Sequence, residues 1–335
     1  MTTLRVGVIG CGAIAVNRHL PEYRDNSRVK LVGVCDAKEA RVQDVAKTYG
    51  IRAYTRWEDM LLEQELDAVS VCLPNRFHGP VSTAALWAGK HVLCEKPMAV
   101  SADEAEAMIA AADEAGRVLM IAHNQRFFPA HIRAKQLLHS GRLGAVLQFR
   151  TTFAHGGPEQ WSAEGMQSWF FNEQDAFVGA LGDLGIHKAD LIRWLLEDEV
   201  VEVSAMLRTL EKAANVDDNA VCLLGMRSGA VGTLTASWTH RPGEDDTTTL
   251  YCEHGILHID PHAEVPLHVL YEDGTEEKIA IPDEAQAHNS RVVDEFVDAV
   301  LSSRSPAISG RDGYASLRVI LAAVNASREG RRVTL

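Results

Sequence analysis

The stretch that decides the fold is Leu4–Ala15, LRVGVIGCGAIA, in which an apolar run leads directly into a G-x-G-x-x-A pattern. The first glycine of such a pattern makes a tight turn, the second lets the backbone approach a pyrophosphate, and the third small residue lets helix and strand pack closely. The start of the following helix offers free N–H groups to phosphates. We therefore predict a strand–turn–helix unit that binds a dinucleotide. The residues expected to contact it are Gly10, Gly12, Ala13 and Ile14.

A second signal for a dinucleotide lies at the end of the next apolar run, where Asp36 stands twenty-four residues after Gly12. An acidic residue at this place hydrogen-bonds a ribose 2′-hydroxyl and repels a 2′-phosphate, which favours NAD over NADP. Lys38 and Arg41 lie close by and could weaken that preference. Because S-adenosylmethionine and FAD enzymes use related glycine turns, the motif alone does not name the ligand.

Short apolar runs alternate with amphipathic segments over residues 1–122. The runs LRVGVIG, KLVGVCD, DAVSVCLP, KHVLCE and RVLMIAH lack polar alternation, as strands buried on both faces do. Strand–helix alternation with short connections predicts an α/β domain with a doubly wound parallel sheet. Its predicted helices are Ala37–Tyr49, Pro80–Ala88 and Ala102–Ala115.

The pattern changes in the second part of the chain, where apolar segments are longer and partly alternate with polar residues. Turn signals such as Arg227–Gly229 and Glu272–Gly274 separate them, which is typical of antiparallel sheets with one exposed face. We predict that residues 123–335 form an α+β domain with an open, mostly antiparallel sheet. Its predicted helices are Phe127–His139, Asp190–Leu196, Ser290–Ser302 and Asp312–Ser327.

Composition excludes several classes of protein. The 335 residues suggest two domains of the usual ~150 residues. A net charge of 33 − 46 = −13 disfavours nucleic acid and anionic membranes as partners. We find no apolar stretch of the ~20 residues that span a bilayer, and no signal-peptide pattern at the N-terminus. The six cysteines lack C-x-x-C spacing, which favours free thiols and a cytoplasmic location.

The segment Glu95-Lys96-Pro97 follows the fifth apolar run, at the sheet edge where open parallel sheets bind ligands. A lysine fixed there by the following proline can reach a substrate oxygen beside a nicotinamide. The alternative, a lysine that only pairs with Glu95, is equally compatible with the spacing.

With this segment the chain resembles the Gfo/Idh/MocA oxidoreductase family, the relatives of glucose–fructose oxidoreductase and inositol dehydrogenase. Four motifs carry the resemblance: the glycine turn, Pro74–His78 (PNRFH), Gly89–Pro97 (GKHVLCEKP) and Gly182–His187 (GDLGIH). The likeness covers essentially the whole chain. It implies an N-terminal Rossmann domain, bound NAD, and a C-terminal sheet that commonly forms the interface of a homo-oligomer, a dimer or tetramer.

The resemblance also implies a lysine–aspartate–histidine set that acts on a sugar or cyclitol hydroxyl, here Lys96, Asp183 and His187. If Asp183 begins a helix, the i,i+4 spacing puts it beside His187 on one face. A carboxylate there orients the imidazole and raises its basicity, so that His187 acts as general base, while Lys96 stabilises the developing alkoxide. The alternative is an N-capping aspartate and a packed histidine.

Further residues are assigned to the site on weaker grounds. The family's cofactor contacts map to Pro74, Asn75, His78, Glu95 and Lys96, although Asn75 and His78 also suit a turn and a helix start. Substrate contacts are expected from Arg126, His155, Trp161 and Trp169. The aromatic stretch 155–177 suits a sugar ring, but it could equally pack on its own domain, and Arg126 could equally form a salt bridge at the domain hinge.

No metal is expected. His254, His258 and His262 recur every four residues, but Gly255 and Pro261 interrupt them and no carboxylate-rich surroundings accompany them. The function predicted is hydride transfer between a secondary alcohol of a sugar or cyclitol and NAD, with NADP less favoured. The alternatives are a redox-neutral glycosidase that uses bound NAD, and a non-catalytic NAD-binding sensor on the same fold.

Overall fold

The computed structural model describes residues 3–281 and 289–335. Its first sheet has six parallel strands in the order β3-β2-β1-β4-β5-β6. Five of them fall in the predicted apolar runs, and the prediction of a doubly wound parallel sheet is confirmed. The strands are β1 Leu4–Ile9, β2 Val29–Cys35, β3 Arg52–Tyr54, β4 Ala68–Val71, β5 His91–Cys94 and β6 Leu119–Ile121.

Five α-helices accompany this sheet. They are α1 Leu20–Asp25, α2 Glu39–Tyr49, α3 Trp57–Leu61, α4 Asn75–Trp87 and α5 Ala102–Ala115. Helix α5 has the predicted bounds, and the Ser101 hydroxyl caps it by accepting from the Glu104 N–H at 3.2 Å. Helix α4 starts five residues before the predicted Pro80, because the proline lies inside the helix and removes only one backbone hydrogen bond there.

The second sheet is mostly antiparallel, as predicted, with the order β14-β13-β12-β11-β7-β10-β9-β8-β15. Strands β7 and β10 at its centre are parallel to each other. The strands are β7 Val146–Ala154, β8 Val200–Arg208, β9 Asn219–Met226, β10 Val231–Ser237, β11 Thr248–Cys252, β12 Gly255–Ile259, β13 Leu267–Tyr271, β14 Glu276–Ile279 and β15 Val333–Thr334.

Among the residues that the structure describes, helices cover one face of this sheet and leave the other face open. The helices after β6 are α6 Pro129–His139, α7 Glu173–Ala176, α8 Ile186–Leu196, α9 Val292–Leu301 and α10 Gly310–Glu329. On the open face, four apolar side chains are at least half exposed: Met206, Val221, Leu223 and Val231. They belong to the neighbouring strands β8, β9 and β10, where the alternate residues point into the core.

Two hydrophobic cores form, and the C-terminal segment contributes to both. Phe296 on α9 and Ile308 pack into the core of the first sheet. On α10, Leu317 belongs to this same core, whereas Ile320 belongs to the core of the second sheet. The sequence-based boundary after residue 122 therefore separates the two sheets but leaves α9 packed against the first one. Within the described ranges, no helix is long and apolar enough to cross a membrane.

Candidate active site

A cleft of about 430 Å³ runs along the carboxyl edge of the first sheet and continues into the second domain. This volume lies within the ~300–1,000 Å³ range of pockets that bind small molecules. Its lining includes many of the predicted site residues: Gly12, Ala13, Ile14, Asn75, His78, Glu95, Lys96, His155, Trp161, Trp169, Asp183 and His187.

The glycine turn has the geometry that a pyrophosphate requires. Gly10 has φ +99°, and a Cβ there would lie 2.1 Å from the carbonyl oxygen of Cys72. At Gly12, by contrast, nothing lies within 4 Å of the position that a Cβ would take. The backbone is therefore open towards the cleft at the second glycine, and a helical segment, residues 13–25, begins directly behind it. The turn fits a dinucleotide phosphate.

Asp36 lies at the end of β2 and is almost fully buried. Its Oδ2 accepts from the Cys11 N–H and Arg41 Nε, both at 2.9 Å. Its Oδ1 accepts from the Lys38 N–H at 2.8 Å and from Arg41 Nη2 at 2.9 Å. Four donors thus occupy a carboxylate that has about four lone-pair sites. A ribose hydroxyl can donate to Asp36 only in place of one of them.

Glu95 belongs to a buried polar network at the same edge. His19 bonds Glu95 Oε1 through Nε2 at 2.9 Å and Ser70 Oγ through Nδ1 at 3.0 Å. Burial alone would raise the pKa of Glu95, but the hydrogen bond and charge of His19 outweigh it and hold the pKa at about 2. Glu95 is therefore an anion at the cleft wall, where His19 holds its orientation.

Lys96 and Asp183 meet across the two domains. Lys96 Nζ donates to Asp183 Oδ1 at 2.9 Å and to the Asp183 carbonyl oxygen at 2.8 Å. The buried indole of Trp238 donates to the other carboxylate oxygen, Oδ2, at 3.2 Å. Asp183 Oδ1 and the Asp183 carbonyl oxygen are the two acceptors of the ammonium among the described residues, which leaves one of its three hydrogens free, and the Lys96 side chain is 15% exposed. Lys96 is thus held in the cleft by Asp183 rather than by Glu95.

His187 follows Asp183 through a π-helical turn, Leu181–Gly185, that leads into α8. The predicted carboxylate–imidazole contact is absent from the hydrogen bonds of the described residues, and the two Asp183 oxygens bond Lys96 and Trp238 instead. The wider i→i+5 turn changes the angle between the two side chains from that of an α-helix. The prediction that Asp183 orients His187 is therefore wrong for this geometry.

The imidazole of His187 is held instead by ring contacts. Its ring centre lies 5.8 Å from that of Phe153 and 6.2 Å from that of His123, in both cases edge-on. Burial first, and then the charge of Lys96, lower the pKa of His187 well below its ordinary value. Its Nδ1 finds no acceptor or donor among the described residues. His187 is therefore a neutral imidazole that lines the cleft.

The PNRFH motif lies where β4 meets α4. Pro74 precedes the helix as its N-cap residue, and the Asn75 amide donates to the carbonyl oxygen of Ala176 in the second domain at 2.9 Å. The two ring nitrogens of His78 each lie 2.7 Å from a backbone carbonyl, those of Pro97 and Leu73. Both side chains line the cleft. Through these hydrogen bonds, His78 holds the backbone next to Lys96, and Asn75 holds the contact between the two domains.

An aromatic wall faces Lys96 from the second domain. Trp169 stacks on Phe170 with ring centres 3.9 Å apart, and Trp161 meets the same ring edge-on at 5.1 Å. His155 lies on this wall, beside Phe153. The aromatic stretch therefore lines the cleft rather than only packing on its own domain.

Arg126 is not among the described residues that line the cleft. Its guanidinium forms a two-pronged ion pair with Asp190, both contacts at 2.7 Å, and its Nη1 lies 3.4 Å from Asp312. This arrangement matches the salt-bridge alternative considered for Arg126 and leaves its substrate contact without a geometric basis.

The three spaced histidines lie apart from one another. His254 pairs with Glu272 and His258 bonds Thr249. Only His262 reaches the cleft, where it forms a group with Glu244 and Asp246 whose ligand atoms lie within 4.8 Å of one another. The buried ammonium of Lys188 lies 2.5 Å from Asp246 and already supplies a positive charge there.

Several site residues escaped the sequence reasoning. His19, Trp238 and Glu164 contact Glu95, Asp183 and Arg41, respectively. His19 lies seven residues after Gly12, about two helical turns into the segment behind the glycine turn, which is a usable signal. Trp238 and Glu164 reach the site only through tertiary contacts, and no local spacing points to them.

Comparison with known proteins agrees with this geometry. The family model GFO_IDH_MocA, described as an oxidoreductase family with an NAD-binding Rossmann fold, matches residues 4–123. The GFO/IDH/MocA C-terminal domain model matches residues 131–258. D-apiose dehydrogenase of Paraburkholderia graminis is 28% identical over 98% of this chain and 88% of its own length.

Two further relatives match along almost their whole length. Myo-inositol 2-dehydrogenase of Thermotoga maritima is 26% identical over 99% of this chain and 98% of its own. The crystal structure of GenD2 from gentamicin A biosynthesis, in complex with NAD, is 29% identical, covers 100% of this chain and 97% of its own, and superposes with a TM-score of 0.88. With both of its domains matched, the chain belongs to the Gfo/Idh/MocA oxidoreductase family.

Proposed function

We propose that the protein is an NAD-dependent dehydrogenase that oxidises one secondary alcohol of a sugar or cyclitol, or reduces the matching ketone. The observation that carries the proposal is the meeting of Lys96, Asp183 and His187 in the cleft that begins at Gly12. A sensor that only binds NAD has no use for a neutral base and a cation at the far end of a dinucleotide cleft.

The roles of the three side chains follow from their environments. His187, neutral because its pKa is lowered, accepts the hydroxyl proton. The free hydrogen of the Lys96 ammonium stabilises the negative charge that develops on the same oxygen. Asp183 holds Lys96 through two acceptors and so fixes its direction. The nicotinamide, when bound, supplies the hydride acceptor.

The polar residues around the cleft support a neutral substrate. The aromatic wall offers flat apolar surface, and Glu244, Asp246 and His262 offer hydrogen-bonding groups on the second-domain side. D-apiose and inositol are the substrates in the names of two relatives, and both are uncharged polyhydroxy compounds. We therefore place this protein's substrate among neutral polyhydroxylated rings, and we place NAD above NADP as cofactor because of Asp36.

The experiment is a panel of sugars and cyclitols with NAD⁺ and, separately, NADP⁺, read by the absorbance of the reduced cofactor. We expect turnover with NAD⁺ that is lost in Lys96→Ala. As control, Lys278→Ala removes a lysine of the β14 strand outside the cleft lining and should leave turnover unchanged. Tight NAD binding without reduced cofactor, but with release of an aglycone from glycosides, would instead establish the redox-neutral glycosidase.

We also propose that the protein forms a homo-oligomer through the open face of the second sheet. Met206 and Val221 stand opposite each other in register on β8 and β9, and Leu223 and Val231 continue the same patch. An apolar patch on a bare sheet face favours pairing with a second copy. Sedimentation should show a dimer or tetramer that Leu223→Glu dissociates, while a monomeric wild type would refute the interface.

Five of the six free thiols are buried, which supports the proposed cytoplasmic location.

A further inference from the structure

Glu164 lies in the second domain, yet its carboxylate reaches two cations of the first domain. Its Oε1 accepts from Lys38 Nζ at 2.8 Å and from Arg41 Nη1 at 2.6 Å. Burial alone would raise the pKa of Glu164, but the hydrogen bonds from these two cations lower it overall. The carboxylate is therefore charged at neutral pH, and it lines the cleft.

The two cations are the groups that a 2′-phosphate would need. An arginine near the acidic residue after the second strand is the usual holder of the 2′-phosphate in NADP enzymes. Arg41 stands in that place, but its Nε and Nη2 bond Asp36 and its Nη1 bonds Glu164. Lys38 is the more exposed of the two and also turns its ammonium to Glu164.

The local charges therefore balance without any phosphate. Asp36 and Glu164 supply two negative charges, and Lys38 and Arg41 supply two positive ones. A 2′-phosphate, which carries ~1.5–2 negative charges at neutral pH, would have to displace one carboxylate and would leave it without its partners. A 2′-hydroxyl needs only a single acceptor from Asp36, in place of one of the four donors there, and leaves the charges balanced.

We propose that Glu164 is a specificity-determining residue, which excludes NADP by occupying Lys38 and Arg41 from the opposite domain. The inference rests on the proposed function only in that the cleft binds a nicotinamide dinucleotide; it does not depend on which alcohol is oxidised. Cofactor selection is then shared between Asp36, which the nucleotide-binding motif reveals, and a residue of the substrate domain.

The test is the binding of NADH and NADPH, followed by cofactor fluorescence, to wild type and Glu164→Gln. We expect the affinity ratio of NADPH over NADH to rise about fivefold in the variant, since a partly exposed ion pair contributes up to ~1 kcal/mol. High salt should shrink this gain. As matched control, Glu173→Gln removes the same charge from the same domain at a residue that pairs with Arg328, and its ratio should not change.

A second variant separates a direct role of the carboxylate from a change in the loop. The variant Arg41→Gln lacks the guanidinium that Glu164 binds. Adding Glu164→Gln to it should therefore raise the affinity ratio of NADPH over NADH much less than Glu164→Gln raises this ratio in the wild type. An unchanged ratio in Glu164→Gln with normal NADH binding would overturn the inference and leave the proposed dehydrogenase intact. Failure of the wild type to bind either dinucleotide would overturn both. If the affinity ratio shifts as expected but the protein oxidises no alcohol, only the proposed dehydrogenase activity would be overturned.

Discussion

Replacing Arg126 by methionine separates a structural role from a substrate role. The Arg126–Asp190 pair is 7% and 1% exposed, with two contacts of 2.7 Å. Removal of one partner from a buried pair costs ~3–5 kcal/mol, because the other charge stays buried without compensation. Here the Ser316 hydroxyl still donates to Asp190 at 3.0 Å, so we expect the lower end, a loss of ~3 kcal/mol in the free energy of unfolding.

The assay is urea unfolding followed by circular dichroism, together with KM for cofactor and substrate measured well below the transition. KM should stay within about twofold of the wild type, since the guanidinium faces Asp190 and not the cleft. Arg331→Met is the control, because its ion pair with Glu329 is largely exposed and should matter by under ~1 kcal/mol. A stability loss below ~1 kcal/mol combined with a large rise in KM would refute this reasoning and return Arg126 to the substrate site.

The pH dependence of the same variant gives a further check. Burial would raise the pKa of Asp190, but the neighbouring His123 and Arg126 lower it overall. A lowered folded-state pKa contributes stability above the unfolded pKa, and this contribution is lost as pH falls through the folded value. Without Arg126 one of the groups that lower this pKa is gone, so Asp190 takes up its proton at a higher pH than in the wild type. The stability gap between wild type and variant should therefore narrow as the solution is acidified.

Three predictions concern the chemistry. Lys96→Gln keeps a donor for Asp183 but removes the positive charge. It should lower kcat by ~10²–10³-fold while NADH binding is retained. A loss in kcat below tenfold would contradict charge stabilisation by Lys96. The pKa of His187 is lowered by burial and by Lys96. We therefore expect kcat/KM for alcohol oxidation to stay level as the pH falls to ~6.5 and to decline only below this value. A decline centred above pH ~6.5 would exclude His187 as the base. Trp238→Phe removes the 3.2 Å donor to Asp183 and should reduce kcat/KM about three- to tenfold, whereas an unchanged value would show that the indole N–H has no positioning role.

The strands of the first sheet were predictable because both of their faces are buried. Such strands read as uninterrupted apolar runs, and β1, β2, β4, β5 and β6 fall inside the runs. Strand β3 was missed, since its residues Arg52–Tyr54 are few and partly exposed and so leave no apolar run. Edge strands depend on pairing with a neighbour, which local sequence does not record.

The site was predictable as a set of residues but not as a set of contacts. The spacing of Asp183 and His187 suggested a direct contact, and the π-helical turn between them replaced it with contacts to Lys96, Trp238 and Phe153. Nothing in GDLGIH marks a π-helical turn, and such turns are rare single-turn interruptions of α-helices. Contacts made by residues that are distant in the sequence, such as Glu164, could not be predicted because only the tertiary fold brings these residues into the site.

The return of the C-terminal segment to the first sheet bears on how the chain is made. Met120 on the outermost strand bridges to Ser309, the Ile121 N–H donates to the Ile308 carbonyl oxygen at 3.1 Å, and Phe296 fills the adjoining core. A ribosome releases β6 long before it releases these partners, and strands β7 to β14 of the second sheet are synthesised in between. Until then the nascent nucleotide-binding half carries a bare edge strand and an uncovered apolar flank. The hydrophobic core of the first sheet can therefore be completed only after the C-terminal segment has been synthesised.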